Sequence, residues 1–444
     1  MEVRMDERFQ EIRKVMTPNQ AQIEACRCLV CENPPCNEGC PAEVDVKRFI
    51  RALRFENPRR AIQVIRESNC LAGVCGTVCP TENLCEKACS STELTTPIRI
   101  GELQRYAAEQ GYSLKLRNET GDATGDSRVA VIGSGPAGLA AALELRRLGL
   151  GVTVFEKLSR PGGVLSWGIA PYRLPMHVIE REIGYIEEAG AEFRLSSPVT
   201  DLDALFEEGY SAVFIGTGTG ASLRVGIPGE DLEGVYWAIP FLKEVSKVRW
   251  GDAPSVEIGP RLVVIGGGSV AMDAACSARR LGAESIEIVC LESPVEMPAY
   301  RVEVEQAWDE GLQFHTRSKP LEILGKNGKV VGLRGIRIEW REPEKYVPSN
   351  AVEIPGTEFT LAADTIIESI GQKPSEEALK LTEGLRSNGR GLLMVDPETY
   401  MTSRPGVFAG GDVVSGGGTT VVKSVFEGKS AARAMAKYLE SKED

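Results

Sequence analysis

Residues 129–157 read VAVIGSGPAGLAAALELRRLGLGVTVFEK. The pattern predicts a short apolar strand over Val129–Ile132, a glycine turn, an apolar helix, and a second strand ending in an acid. Gly133, Gly135 and Gly138 form G-x-G-x-x-G, with Pro136 and Ala137 opening the helix. The first glycine allows the tight turn and the second lets backbone approach a pyrophosphate. The third lets helix and strand pack closely, with the helix N-terminus facing the phosphates. Glu156 stands where an acid can bond the ribose of an adenine dinucleotide. Glycines alone can serve turns; with strand, helix and terminal acid all in place, dinucleotide binding is the better reading.

The same grammar recurs downstream. Leu262–Gly268 reads LVVIGGG, followed by SVAMDAACSARRLGA and a strand, IEIVCLE, ending at Glu292. Gly266, Gly267, Gly268, Ser269 and Val270 are therefore expected to hold a second nucleotide, with Gly371 closing the site. Between the two units lies AVFIGTGTG (212–220), and after the second comes DTIIESIG (364–371). The chain then finishes with VFAGGDVV and a helix through Tyr438. Two strand-turn returns that bracket a Rossmann unit predict a discontinuous first domain with a second nested in it. The expected class is α/β, with two Rossmann-like domains preceded by an all-α domain. The expected bounds are a helical domain at 1–116, a linker at 117–127 and a first nucleotide domain at 128–238 and 365–444. The second nucleotide domain is expected at 239–364.

The chain has 444 residues, 42% hydrophobic and 26% charged, with a net charge of −12. That length calls for more than one domain. The acidic balance argues against nucleic acid or an anionic membrane as a partner. The charged start, MEVRMDERFQEIRK, lacks the apolar core of a secretory signal, and no apolar run is long enough to span a bilayer. A cytoplasmic location is expected.

Ten of the twelve cysteines fall between Cys26 and Cys89. Cys28, Cys31, Cys36 and Cys40 form C-x2-C-x4-C-x3-C followed by Pro41; Cys75, Cys79, Cys85 and Cys89 form a second set. Such clustering in a cytosolic chain points to metal rather than disulfides. Two structural zinc sites would also use four thiolates each. Beside two dinucleotide units, iron–sulfur clusters make more chemical sense. Cys26 and Cys75 read as spares, and Cys276 and Cys290 as buried core thiols. Only His177 and His315 exist, both remote in sequence from the cysteines, so histidine-based metal or triad chemistry is not expected. A disulfide reductase would need a close redox cysteine pair in a nucleotide domain, and none is present. A basic stripe (Lys47, Arg48, Arg51, Arg54) reads as a solvated helix face.

Over essentially its whole length the chain resembles the small (β) subunit of glutamate synthase and its relatives. These include the N-terminal half of dihydropyrimidine dehydrogenase and the large subunit of NADH-dependent ferredoxin:NADP oxidoreductase. The motifs that carry the likeness are the cysteine array, GSGPAGLAAA, PGGVLSWGIAPYRLP (161–175), GIPGEDLEGV (226–235), GGGSVAMD (266–273), ESIGQKP (368–374) and GVFAGGDVVSGGGTTVV (406–422). The resemblance implies FAD in the first domain, held by the 133–138 turn, Glu156, Lys157, Gly163, Val164 and Arg173. Gly411, Asp412, Thr419 and Thr420 would complete that site. It also implies two [4Fe-4S] clusters: Cys28, Cys31, Cys36 and Cys89 would hold one. Cys40, Cys79 and Cys85 would hold the other, with Gln104 as fourth ligand. Many relatives carry Y-R-R where this chain reads Cys290-Leu291-Glu292. A carboxylate there repels a 2′-phosphate and accepts from a free 2′-hydroxyl, so NAD(H) is expected over NADP(H). Met176 stands where relatives often have lysine.

The expected function is an electron-transfer flavoprotein subunit exchanging hydride between NAD(H) and FAD. It would pass single electrons through two clusters to or from a larger catalytic oxidoreductase subunit. The alternatives are an NADPH-dependent glutamate synthase small subunit and an electron-bifurcating transhydrogenase subunit. Catalysis would rest with the cofactors rather than with a side-chain acid or base.

Overall fold

A computed structural model describes residues 8–114, 116 and 127–443. The expected linker, apart from Ser127, lies outside the described residues. The chain divides into two units. One comprises Glu11–Ser166, Arg173–Thr219 and Pro374–Asp444; the other comprises Met1–Gln10, Trp167–Tyr172 and Gly220–Lys373. The fold is α/β, with the second nucleotide unit inserted in the first.

In the first unit, the cysteine-bearing region is built from Pro18–Cys26, Val46–Arg54, Pro58–Ser68, Ala72–Val78 and Ile100–Ser113, with no strand among its described residues. Local chemistry sets the helix starts. Thr17 and Gln20 form a capping box, Asp45 caps the Arg48 N–H, and Asn57 caps Arg60 ahead of Pro58. Phe49, Ile50 and Leu53 are buried, while the basic side of Val46–Arg54 is only partly covered.

A five-stranded parallel sheet follows, ordered Val407–Ala409, Ala212–Ile215, Arg128–Ile132, Gly151–Phe155, Glu192–Arg194. The helix Pro136–Arg147 leads off the glycine turn and packs against the last helix, Val421–Glu443. That approach is close enough that a Cβ on Gly428 would run into the Ala137 carbonyl. Arg433 also pairs with the buried Glu144 at 2.6 Å.

The second unit repeats the plan. Its parallel sheet is ordered Val235–Trp237, Thr365–Glu368, Arg261–Ile265, Ser285–Val289, Gln313–His315. The helix Ser269–Leu281 follows its glycine turn. An antiparallel meander, Ser318–Lys326, Lys329–Trp340 and Ala351–Glu353, with Phe359–Ala362 against Lys329–Trp340, is added. A short ribbon pairs Ala221–Ser222 with Gln372–Lys373.

Two expected bounds need correcting. Both 212–220 and 364–371 read as returns of the first domain, yet Ile366 registers with Val263 and Ile367 with Val264 in the second sheet. Arg261 clamps Asp364 at 2.6 Å at that strand's entrance. Val235–Trp237 joins the same sheet. The breaks therefore fall near 219/220 and 373/374 instead of 238/239 and 364/365. Apolar strands ending in a glycine turn look alike in sequence; pairing partners decide which sheet each completes.

Candidate cofactor sites

The two glycine turns are built by the same bonds. Gly133 N–H donates to the Phe155 carbonyl at 2.8 Å, and Gly266 N–H to Val289 at 2.9 Å. Gly216 N–H reaches the Ile132 carbonyl, as Ser369 N–H reaches Ile265, each at 2.8 Å. Gly133 adopts φ +97° and a Cβ there would lie 2.6 Å from the Gly216 carbonyl oxygen. A Cβ on Gly138 would collide with the Gly133 carbonyl. These positions demand glycine for close packing, which is what a phosphate-facing helix N-terminus needs.

Around the first turn the structure gathers most of the expected FAD residues. Glu156 is buried, and its Oε2 accepts from Ser134 N–H at 3.1 Å and from Ser134 Oγ–H at 2.5 Å. Its Oε1 accepts from Leu158 N–H at 2.9 Å. Ser134 Oγ in turn accepts from Gly162 N–H at 3.0 Å, which draws the PGG segment onto the turn. A Cβ on Gly163 would sit 2.8 Å from Gly135 Cα, and Val164 begins the short helix Val164–Trp167. Arg173 is partly buried. Lys157 points elsewhere: it is exposed and pairs with Glu377 at 2.6 Å.

The closing segment is fastened to the same unit. Asp412 Oδ1 accepts from Thr419 N–H at 2.8 Å, and burial raises the Asp412 carboxyl above its ordinary range. Thr420 caps the last helix by accepting from Lys423 N–H at 3.3 Å. Glu427 had no signal in the sequence beyond lying in a helix. Its buried carboxylate accepts from Gly411 N–H at 2.7 Å and Gly418 N–H at 3.1 Å. It thus holds both ends of the GDVVSGGG loop. The cradle of glycines, paired backbone donors and a capped helix N-terminus fits a flavin dinucleotide.

The thiols converge in two groups. Cys28, Cys31, Cys36 and Cys89 line one pocket with Leu29, Ile50 and other apolar side chains. Burial, then the neighbouring Cys89 and Cys28 thiols, push Cys36 up to about 12. The second group is Cys40, Cys79 and Cys85. Burial and then Cys75, Cys85 and Cys40 raise Cys79; burial and then Cys40 raise Cys85. Thiols that repel one another's ionisation in an apolar setting become thiolates only around a cation, so the donor sets fit metal clusters. Gln104 is buried, and its amide donates to the Ala72 carbonyl at 2.9 Å. Cys75, expected as a spare, is buried near Cys79, whose thiol it helps to raise. The two lie four residues apart, within and at the end of the helix Ala72–Val78. Among the described residues no group of three or more His, Cys, Asp or Glu side chains is set to hold a single metal ion.

At the second turn, Gly268 caps the helix that Ser269 and Val270 open. Gly371, at φ +130°, accepts from Leu223 N–H through its carbonyl at 2.9 Å beside the short ribbon. The strand that was expected to end at Glu292 stops at Val289, and Glu292 follows on the loop. Its carboxylate nonetheless returns to the turn: a Cβ on Gly267 would lie 3.0 Å from Glu292 Oε2. Burial raises this carboxyl, with the nearby Glu296 adding to the rise and Arg317 opposing it. Among the two histidines, His315 pairs with Glu287 and stacks on Phe359, and His177 lies 3.6 Å from Glu109. No helix among the described residues is long and apolar enough to cross a membrane.

Comparison with known proteins gives the family of both parts of the chain. Residues 4–115 match the family described as dihydropyrimidine dehydrogenase domain II, 4Fe-4S cluster; residues 127–428 match pyridine nucleotide-disulphide oxidoreductase. The chain is 35% identical to the glutamate synthase [NADPH] small chain of Escherichia coli K12, covering 97% of this chain and 94% of that one. It is also 35% identical to the NAD-dependent dihydropyrimidine dehydrogenase subunit PreT of the same strain, covering 97% of each. The NADP(+)-dependent formate dehydrogenase subunit beta of Moorella thermoacetica is 37% identical over 91% of this chain, which spans 60% of that relative's length. Mycobacterium tuberculosis FprA in complex with NADPH shares the fold, with a TM-score of 0.60 over 71% of this chain and 85% of that one, at 19% identity.

Proposed function

The chain belongs to the pyridine nucleotide-disulphide oxidoreductases that carry an N-terminal 4Fe-4S domain, relatives of the glutamate synthase small chain, and on that premise we propose that it is an electron-entry subunit. It exchanges hydride between NAD(H) and FAD and conducts single electrons through two [4Fe-4S] clusters to or from a larger oxidoreductase subunit. The observation that carries this reading is the gathering of two thiol groups in the same unit as a complete dinucleotide cradle.

In this reading the 133–138 turn and the capped helix at Thr420 face the FAD phosphates and ring. Glu156 orients the turn through Ser134, and Glu427 fixes the loop that carries Asp412. Cys28, Cys31, Cys36 and Cys89 hold one cluster; Cys40, Cys79, Cys85 and Gln104 hold the other. Flavin supplies the conversion between a hydride pair and single electrons, and the clusters accept those singly. In this reading the cofactors carry that exchange, and the protein's part is orientation and electrostatics. The relatives' names divide between NADPH or NADP(+) and NAD; the Glu292 carboxylate over Gly267 supports NAD(H) here. Those names include a small chain and two subunits, which supports a larger partner bearing the terminal substrate site.

Anaerobic titration of the purified chain with NADH and then NADPH tests the reading, following flavin bleaching and the EPR of reduced clusters. NADH should reduce flavin and iron, with NADPH much less effective. Flavin reduction in a protein without iron would overturn the cluster assignment. Equal reduction by NADPH would overturn the nucleotide preference.

A further inference from the structure

Beside Glu292 sits a cation that the nucleotide reading leaves unused. Arg317 follows the strand Gln313–His315. Its backbone N–H donates to the Glu292 carbonyl at 3.2 Å, and Ser318 N–H donates to Cys290 at 2.9 Å. The two loops are thereby stitched together. Arg317 also adopts φ +50°, a conformation that residues with a side chain rarely take outside special sites.

Its guanidinium is spoken for. Nη2 meets Glu296 Oε1 at 2.5 Å, and the group lies 5.4 Å from the ring centre of Trp340. Glu296 is itself fixed, since its Oε2 accepts from Ser293 N–H at 2.9 Å and from Trp340 Nε1–H at 3.3 Å. These residues line one side of a cleft of about 390 Å³ that Pro343 and Tyr346 complete. Arginine is the side chain best shaped to grip a phosphate. Here one stands against the acid that, in a Rossmann site, faces the adenosine 2′ position.

We propose that Glu296 and Arg317 are specificity-determining residues of this site: Glu296 sequesters Arg317, so that a 2′-phosphate meets the Glu292 carboxylate without a free guanidinium to answer it. This rests on the reading of the second turn as a nucleotide site facing Glu292. Neutralising Glu296 removes the competing anion and releases Arg317. With its backbone already anchored to Glu292, the side chain is within reach of a phosphate placed there. The pair thus accounts for discrimination beyond what one carboxylate supplies, because it cancels the local cation as well as adding repulsion.

The test is calorimetric titration of the flavin-loaded full chain with NAD⁺ and with NADP⁺, which needs no turnover. Flavin content and far-UV circular dichroism establish that each variant is folded. Glu296→Gln should tighten NADP⁺ by about tenfold, the scale of one new charge-assisted contact, and leave NAD⁺ within about twofold. Adding Arg317→Ala to that variant should remove the gain. Arg317→Ala alone should leave both affinities within about twofold. An unchanged NADP⁺ affinity in Glu296→Gln overturns the proposal, as does a gain that survives loss of Arg317. Weaker NAD⁺ binding by Arg317→Ala alone also overturns it. The wild-type preference between NAD⁺ and NADP⁺ separately decides the broader reading of Glu292. A wild type that prefers NADP⁺ overturns that reading, whereas the response to Glu296→Gln still decides the role of the pair.

Discussion

The two glycine turns share their backbone bonds but treat their acids in opposite ways. Glu156 is buried and spends both oxygens on its own turn, tying Ser134 and Leu158 in place. Glu292 sits partly buried on a loop, its carboxylate met by the N–H groups of its own loop, Leu291 and Glu292, rather than by the glycine turn, and its neighbours Glu296 and Arg317 line a cleft. The first turn is also covered by the PGG segment and closed by the loop that Glu427 holds. On the proposed function, the first site would keep a resident cofactor and the second would exchange one. Rigid, fully bonded surroundings suit a resident group, while an exchanging ligand needs an acid still free to pair with it.

The comparison breaks most visibly at the third glycine of the first turn and the second glycine of the other. Gly138→Ala drives a methyl into the Gly133 carbonyl, so the purified variant should carry almost no flavin, read from the ratio of 450 to 280 nm absorbance. Gly267→Ala meets the end of the flexible Glu292 side chain at 3.0 Å and Cys290 Cβ at 3.3 Å, with no backbone atom in the way. It should keep its flavin and raise the KM for NADH by about threefold, the effect of a mild displacement. Flavin retention in Gly138→Ala would refute the resident-site half of the comparison.

Glu156→Ala comes next. It leaves the buried Ser134 N–H without its acceptor, at a cost of about 2 kcal/mol. Thermal unfolding should shift down by several degrees, and dialysis should strip flavin that the wild type retains. A melting point equal to wild type would show that the turn stands without its acid.

A smaller change is expected at the exchanging site. Glu292→Ala should erode the NADH over NADPH preference in kcat/KM by about tenfold, equivalent to ~1.4 kcal/mol, without altering the melting point by more than about a degree. Unchanged selectivity would remove Glu292 from the specificity argument.

The smallest effect concerns pH. Burial pushes Glu368 up to about 7, with Val225 N–H opposing the rise and the Glu230 carboxylate adding to it. The folded state therefore holds this proton more tightly than the unfolded chain. The contribution is full below the ordinary carboxyl range and is lost as pH climbs from about 4.5 to about 7. Glu368→Gln should raise the melting temperature by about 2 °C at pH 8 and by less at pH 5. A larger gain at pH 5 than at pH 8 would reverse the sign and refute the assignment.

How much of this was legible beforehand follows from the range of each interaction. Gly133, Gly138 and Glu156 announced their site because strand, turn, helix and acid lie within 29 consecutive residues. Cys28, Cys31 and Cys36 did so by spacing. The strand Thr365–Glu368 was placed in the wrong sheet because its sequence resembles Ala212–Ile215 and only pairing tells them apart. Glu427 and Arg317 were missed because each acts on a partner that local patterning does not reach. Adjacency to Glu156 did not decide where the Lys157 side chain goes: it pairs with Glu377, 220 residues away.

The sequence by itself determined the class of machine, since close-packed turns require glycine at defined steps and metal clusters require thiols at short spacing. The tertiary structure alone decided which strand completes which sheet, which carboxylate is spent on its own loop, and which cation pairs with a neighbouring acid. Those outcomes depend on contacts between residues far apart in the chain, such as Glu427 with Gly411 across 16 positions and Arg317 with Glu296 across 21. Hydrogen bonds and ion pairs act over a few ångströms of space, and the distance along the chain does not set that separation.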